Sequence, residues 1–179
     1  VAAVKPALDA AGYPGEDDRD LEAGDPVEID LTTDLRDYQE TWVETFLDRK
    51  SGVYVGPPGS GKTVAGIATI AAVGGETLIL VPSRELADQW REELLEHSTV
   101  DPADIGLYHG GTKEIRPVTI ATYQIAGMDR HRSLFDSREW GLICFDECHH
   151  VTAPVYSRTA ELQSKHRLGL SATPVSETG

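Results

Sequence analysis

With 179 residues, the chain has about the length of one domain, and its 40% hydrophobic content is typical of a folded globular protein. No apolar run approaches the ~18 residues of a membrane span and no signal peptide is visible, which disfavours a membrane protein and predicts a cytoplasmic one. The formal charge of −14, from 16 basic and 30 acidic residues, opposes binding to nucleic acid unless salt screens it.

The first 32 residues predict an acidic linker or the end of an upstream module, and residues 33–179 predict one domain. Residues 1–34 contain ten acids and two bases among turn-forming glycines and prolines. Two explanations of the acid excess stay open. One is an ordinary solvated surface, and the other is adaptation to high salt, where the Debye length falls to ~3 Å at 1 M.

From residue 33 onward, hydrophobic periodicity predicts strands that alternate with helices. Such alternation favours an α/β domain, a mainly parallel sheet with helices on both faces, whose ligands bind beyond the carboxyl ends of the strands. The predicted strands cover residues 52–55, 77–81, 105–108, 118–122, 140–146 and 167–171. Four helices are predicted. The first begins after Thr33 or Asp34, the second covers 65–73, the third follows a cap at Ser83, and the fourth covers about 155–164.

A glycine-rich segment follows the first predicted strand and precedes a helix, which is the context that a phosphate-binding loop requires. In such a loop, backbone N–H groups and the positive end of the helix dipole bind an anion. Lys62 is expected to reach the β- and γ-phosphates of ATP, and Thr63 to ligate Mg²⁺. The alternative is a turn with a chance lysine. The segment is Gly56-Pro57-Pro58-Gly59-Ser60-Gly61-Lys62-Thr63.

Two adjacent carboxylates, Asp146 and Glu147, end another apolar strand. Hydrolysis of ATP needs charge neutralisation at the β/γ oxygens and a positioned water. Asp146 suits the Mg²⁺ shell through a water molecule, and Glu147 suits deprotonation of the attacking water. The alternative is a pair of acids that merely follow a strand. A third segment, Ser171-Ala172-Thr173, follows the last predicted strand and is weak evidence by itself.

In order and spacing, these three segments resemble the first RecA-like domain of superfamily 2 helicases and translocases, over about residues 35–175. The resemblance implies a RecA-like P-loop NTPase fold with ATP and Mg²⁺ as cofactors. It also implies that Gln39 recognises adenine, for which the alternative is a polar residue on a helix surface. It makes His149, Ser171 and Thr173 coupling residues, and Ser83, Arg84, Gly110, Gly111 and Thr122 contacts to a nucleic-acid strand, although cap and turn roles stay open.

Within this superfamily, the chain is most similar to the XPB-type DNA repair and transcription helicases. The similarity is carried by residues 35–39, by Gln89-Trp90 after Val81-Pro82-Ser83, and by the double histidine His149-His150. One departure is the absence of Arg-Glu-Asp after residue 173, which leaves restriction-type translocases as an alternative. The resemblance implies DNA rather than RNA as the partner and a nucleoid-associated protein.

A second RecA-like domain, which the resemblance implies for the full protein, has no room in these residues. Because arginine fingers are worth about 10³–10⁵ in turnover, the chain alone is expected to bind ATP–Mg²⁺ and hydrolyse it hardly at all. Two other classes stay open: a P-loop kinase, and a scaffold module that binds nucleotide without acting as a motor.

Overall fold

The computed structural model describes residues 26–150, 152–160, 162 and 164–172. Its centre is a six-stranded sheet in the order β1-β6-β5-β2-β4-β3, in which every neighbouring pair is parallel. The strands are β1 (Ser51–Val55), β2 (Thr77–Val81), β3 (Ile105–Tyr108), β4 (Val118–Thr122), β5 (Trp140–Phe145) and β6 (Ser164–Ser171). The helices are α1 (Asp37–Arg49), α2 (Lys62–Val73), α3 (Arg84–His97), α4 (Tyr123–Ala126), α5 (Asp129–Asp136) and α6 (Ala153–Ala160).

Helices cover both faces of the sheet. Alternate residues of each strand point to opposite faces, so they are buried in two different cores. In β2, Ile79 and Val81 pack in the core formed with α1, α2 and α3. Leu78 and Leu80 pack in a second core, which contains residues of α4 and α5. This arrangement confirms the predicted α/β class and its parallel sheet.

The strand order places three functional segments at one edge of the sheet. β1 pairs with β6, and β6 pairs with β5, so the segments that follow them are neighbours. The amide of Gly56 donates to the carbonyl of Ser171 at 3.1 Å, and the amide of Asp146 donates to the carbonyl of Leu80 at 2.9 Å. The loop after β1 therefore lies beside the end of β6, and the residues after β5 lie beside the end of β2.

Residues 26–32, which lie in the predicted linker, pack on the domain. Val27 donates to the carbonyl of Gly74 and Thr32 to that of His97, both at 2.8 Å, at the ends of α2 and α3. Ile29 is 5% exposed and belongs to the core. The acidic linker stays a prediction for residues 1–25, which lie outside the described part of the chain.

Three sequence predictions about elements are wrong. The helix predicted to run to residue 164 ends at Ala160, and β6 begins at Ser164, because Ser164 pairs with Trp140 of β5. Helical spacing predicts Tyr38 and Leu47 on the buried face of α1, but they are 39% and 37% exposed. The sequence pattern does not predict α4 or α5. Across the described residues, no helix is both long enough and apolar enough to cross a bilayer.

Candidate active site

The loop between β1 and α2 has the backbone that a phosphate-binding loop requires. Gly59 and Gly61 have φ angles of +82° and +81°, in the left-handed region that glycine enters without strain. Gly61 is also the N-terminal cap of α2, so the first amides of that helix face the loop. The predicted residues Gly56, Pro57, Pro58, Ser60 and Thr63 complete the turn from the strand to the helix.

The Lys62 ammonium lies across this loop. It donates to the carbonyl of Gly56 at 2.6 Å and to that of Pro57 at 3.2 Å. The buried Ser60 hydroxyl has no hydrogen-bond partner in the part of the chain that the structure describes. The Lys62 ammonium is thus held by carbonyls of its own loop, and Lys62 lines the neighbouring pocket.

Asp146 directly follows β5 and is held by several hydrogen bonds. The indole N–H of Trp90 donates to Oδ2 and the amide of Glu147 donates to Oδ1, each at 2.8 Å. The Tyr123 hydroxyl donates to the backbone carbonyl of Asp146, also at 2.8 Å. Asp146 is 8% exposed, and burial raises the pKa of its carboxyl, while the Trp90 hydrogen bond acts in the opposite direction.

Glu147, His149 and Ser171 form a chain of side chains beside the loop. The Glu147 Oε2 lies 3.4 Å from His149 Nε2, and His149 Nδ1 lies 3.0 Å from the Ser171 hydroxyl. Glu147 has a φ of +50°, a conformation that non-glycine residues adopt at a cost and that is frequent at functional sites. Of the three predicted coupling residues, His149 and Ser171 are in contact and Thr173 lies outside the described residues.

Residues of the loop and the two adjacent acids line one pocket of about 380 Å³, a size typical of small-molecule sites. Lys62, Thr63, Asp146 and Glu147 all contribute to its walls. The donor set suits Mg²⁺, because hydroxyl and carboxylate oxygens are the ligands that this ion prefers. The loop and Lys62 suit the phosphates, so the residues present fit both predicted cofactors.

Gln39 is attached to the loop. It is 3% exposed; its Nε2 donates to the carbonyl of Gly61 at 2.9 Å, and its Oε1 accepts from the amide of Arg36 at 2.8 Å. The neighbouring Tyr38 hydroxyl donates to the carbonyl of Ser60. Both residues thus fix the loop to α1, a contact that the sequence prediction for Gln39 did not include. Adenine recognition by Gln39 stays a prediction.

The predicted nucleic-acid contacts surround the ends of β2, β3 and β4. Ser83 caps α3, its hydroxyl accepting from the amide of Leu86 at 3.3 Å. The Arg84 guanidinium packs on Gly110, where an added Cβ would lie 2.2 Å from Nη2, and on Gly111. Thr122 ends β4 and is 7% exposed. The structure thus brings Arg84 to the two glycines; the nucleic-acid role of all five residues stays a prediction.

Sequence reasoning missed the two aromatic donors to Asp146. In the sequence, Trp90 stands out only through the Gln89-Trp90 pair that carries the XPB resemblance, and Tyr123 only as the neighbour of Thr122. One signal was available: a buried tryptophan or tyrosine normally finds a partner for its N–H or O–H group. The identity of that partner, 56 residues away from Trp90, depends on the fold.

Residues 32–176 match the model of one protein family, described as type III restriction enzyme, res subunit. The chain belongs to this family. The match spans every described element of the sheet and both sides of the pocket, so membership in the family covers the whole candidate site. The predicted resemblance to superfamily 2 helicase domains is confirmed.

Curated relatives of this family member include proteins named as helicases. The chain is 66% identical to a protein of Haloarcula marismortui called putative DNA 3'-5' helicase Rad25, over 99% of this chain and 28% of that protein. It is 46% identical to the DNA 3'-5' helicase XPB of Kineococcus radiotolerans, over 98% of this chain and 33% of that protein. The predicted XPB-type relationship is confirmed, and the chain spans about a third or less of the relatives it matches.

A solved structure shows the same fold. The Sulfolobus solfataricus SWI2/SNF2 ATPase core in complex with dsDNA superposes with a TM-score of 0.66 at 22% identity, over 86% of this chain and 35% of that chain. The predicted RecA-like architecture is therefore confirmed.

Proposed function

We propose that the complete protein is an ATP-dependent DNA helicase or translocase of XPB type, and that this chain is its ATP-binding half. The observation that carries the proposal is the pocket in which the loop, Thr63, Asp146 and Glu147 meet. The names of the relatives, DNA 3'-5' helicases, supply the substrate class and the motor activity.

Each wall of the pocket has a proposed role in ATP hydrolysis. The loop from Gly56 to Thr63, through its backbone N–H groups other than at the two prolines, and the Lys62 ammonium bind the phosphates, while Gln39 recognises adenine. Thr63 and, through water, Asp146 hold Mg²⁺, which neutralises charge at the β/γ oxygens when bound. Glu147 orients and deprotonates the attacking water, so Lys62, Asp146 and Glu147 are the catalytic residues of a DExH-type site.

The remaining predicted residues connect this site to DNA. Ser83, Arg84, Gly110, Gly111 and Thr122 are proposed to contact one strand through its phosphates, which requires hydroxyls, amides and cations but no base reading. His149, Ser171 and Thr173 are proposed to link the γ-phosphate position to the rest of the protein. The contacts from Glu147 through His149 to Ser171 support this role.

The proposed domain layout is an acidic N-terminal segment at 1–32, of which residues 26–32 pack on the domain, this RecA-like domain at 33–179, and a second RecA-like domain elsewhere in the complete protein. Completing the site with arginine fingers from that second domain is worth about 10³–10⁵ in turnover. The isolated chain is therefore expected to bind ATP–Mg²⁺ with almost no hydrolysis. DNA-stimulated turnover by the isolated chain would contradict this layout.

The charge of −14 supports a further proposal, that the protein works at high salt. The proposed cytoplasmic, nucleoid-associated setting follows from the proposed DNA helicase function instead. At ~1 M salt the Debye length is ~3 Å, so the acidic surface no longer repels DNA phosphates over any useful distance. The assays of this protein therefore belong in molar KCl.

The test of the proposed function is the ATPase rate of the complete protein without nucleic acid, with duplex DNA and with RNA. We expect DNA to stimulate hydrolysis. Preferential stimulation by RNA would place the protein with RNA helicases. A rate indifferent to both would favour a scaffold module, and phosphate transfer to an acceptor other than water would favour a kinase.

A further inference from the structure

Asp146 is bonded to two aromatic residues that belong to the two proposed nucleic-acid segments. Its carboxylate accepts from the indole of Trp90, on α3, whose N-terminus carries Ser83 and Arg84. Its backbone carbonyl accepts from Tyr123, the residue directly after Thr122.

The geometry leaves Asp146 little freedom of its own. Both carboxylate oxygens and the backbone carbonyl are engaged, and the residue is 8% exposed. Trp90 is 2% and Tyr123 is 4% exposed, so both rings are packed in the two cores and move only with their segments. A close-packed interior transmits small displacements instead of absorbing them.

The path from the proposed DNA contacts to Asp146 is short. Trp90 lies six residues after Arg84 on the same helix, which is a distance of ~9 Å at ~1.5 Å per residue. Tyr123 is covalently joined to Thr122 at the start of α4. A shift of α3 or of the β4–α4 turn therefore moves a hydrogen-bond donor of Asp146 directly.

We propose that Trp90 and Tyr123 are positioning residues through which DNA bound at α3 and at the β4–α4 turn sets the orientation of Asp146. This inference rests on the proposed function, because it explains how DNA stimulates hydrolysis. Neither residue is assigned a role at the reacting phosphate, although Trp90 lines the pocket. Their effect is on the coupling between DNA binding and the magnesium side of the pocket.

The test uses Trp90→Phe and Tyr123→Phe in the complete protein, since each change keeps the ring and removes one donor. We expect the stimulation of ATPase by duplex DNA to fall by ~5-fold or more in each variant, within the usual range of coupling between sites. DNA affinity is expected to stay at the wild-type value in both variants, because neither ring is among the proposed DNA contacts. Nucleotide affinity without Mg²⁺ is expected to stay at the wild-type value in Tyr123→Phe, because Tyr123 is not among the residues that line the pocket, whereas Trp90 is.

Two matched controls remove the same kind of donor elsewhere. Trp140→Phe deletes an indole bond of 2.9 Å to the carbonyl of Phe135, and Tyr54→Phe deletes a hydroxyl bond of 2.7 Å to Thr69. Both controls are expected to keep wild-type stimulation. An equal loss in the controls would show a general effect of buried donors on stability and overturn the inference.

A second readout does not depend on activity. The complete protein is labelled with 5-fluorotryptophan, and the ¹⁹F resonance of Trp90 is assigned as the one that is missing from the Trp90→Phe variant. This resonance is expected to shift when duplex DNA is added to the wild type. The inference would be overturned, and the proposed function kept, if duplex DNA stimulates the wild type and both variants equally and the Trp90 resonance does not shift. An absence of stimulation in the wild type would instead overturn the proposed function, and the inference with it.

Discussion

Gly59 and Gly61 have nearly the same backbone conformation in different surroundings. Their φ angles are +82° and +81°. A Cβ added at Gly59 meets nothing within 4 Å, whereas one added at Gly61 would lie 2.3 Å from the Nε2 of Gln39. The two positions therefore separate the cost of left-handed backbone from the cost of displacing Gln39.

We expect Gly59→Ala to lower the free energy of unfolding of the chain by about 1–2 kcal/mol, the cost of the left-handed conformation. Gly61→Ala is expected to cost about 1 kcal/mol more, because the Gln39 amide must leave its hydrogen bonds. Denaturant unfolding measures both changes. In a Gln39→Ala background the two glycine variants should become equal; a difference that persists would refute the role given to Gln39.

At the scale of elements, the N-terminus of α3 combines a capping role with a proposed DNA contact at the same residue. Ser83 accepts a hydrogen bond from the amide of Leu86. Ser83→Ala is expected to lower the free energy of unfolding by about 1 kcal/mol, and Ser83→Asp to preserve it, since aspartate caps helices as well as serine does. Thermal or denaturant unfolding of the two variants tests the cap.

The same pair of variants isolates the DNA contact. If Ser83 lies against a phosphate, the carboxylate of Ser83→Asp repels it, and DNA affinity of the complete protein falls while its stability does not. Fluorescence anisotropy with labelled duplex DNA measures the affinity, with Arg84→Gln as a variant expected to weaken binding. Unchanged affinity in Ser83→Asp would leave Ser83 as a cap only.

The elements differ in how far the sequence determines them. β2 has five buried apolar or small residues bounded by Gly75 and Pro82, and its limits were predicted correctly. β6 was predicted three residues too short, because Ser164, Lys165 and His166 carry no apolar pattern and are ordered through pairing with β5. Local patterns locate strands well, and tertiary pairing extends them.

The candidate site shows the same division. The loop at 56–63 and the acids at 146–147 are recognisable because their chemistry fixes residue type and spacing, and the structure places them in one pocket. The contacts from Gln39 to Gly61 and from Trp90 to Asp146 join residues 22 and 56 positions apart. Such contacts depend on how α1 and α3 dock on the sheet, which no local pattern contains.

At the scale of the whole molecule, the charge of −14 predicts a response to salt. Raising KCl from ~0.1 M to ~1 M shortens the Debye length from ~10 Å to ~3 Å and weakens repulsion among the acids. We expect the midpoint of thermal unfolding of the chain to rise over this range. Circular dichroism measures the midpoint.

The control for this prediction is sucrose, which favours compact states through exclusion from the surface without screening charge. If sucrose at matched osmolality raises the unfolding midpoint as much as KCl does, the effect of KCl comes from exclusion from the protein surface and not from screening of charge. A midpoint indifferent to KCl would contradict adaptation to salt and leave an ordinary solvated acidic surface.

The most direct test of the central claim is the ATPase rate of the complete protein in molar KCl, with and without duplex DNA, for the wild type, Lys62→Ala and Glu147→Gln. Glu44→Gln, the same change at an exposed position of α1, is the control. We expect DNA-stimulated hydrolysis in the wild type and the control. Glu147→Gln should lose at least ~100-fold in rate while it still binds ATP, and Lys62→Ala should lose binding as well. Two results would contradict the claim that ATP hydrolysis in this pocket drives a DNA motor: a wild-type rate that DNA does not change, or a rate that neither substitution lowers.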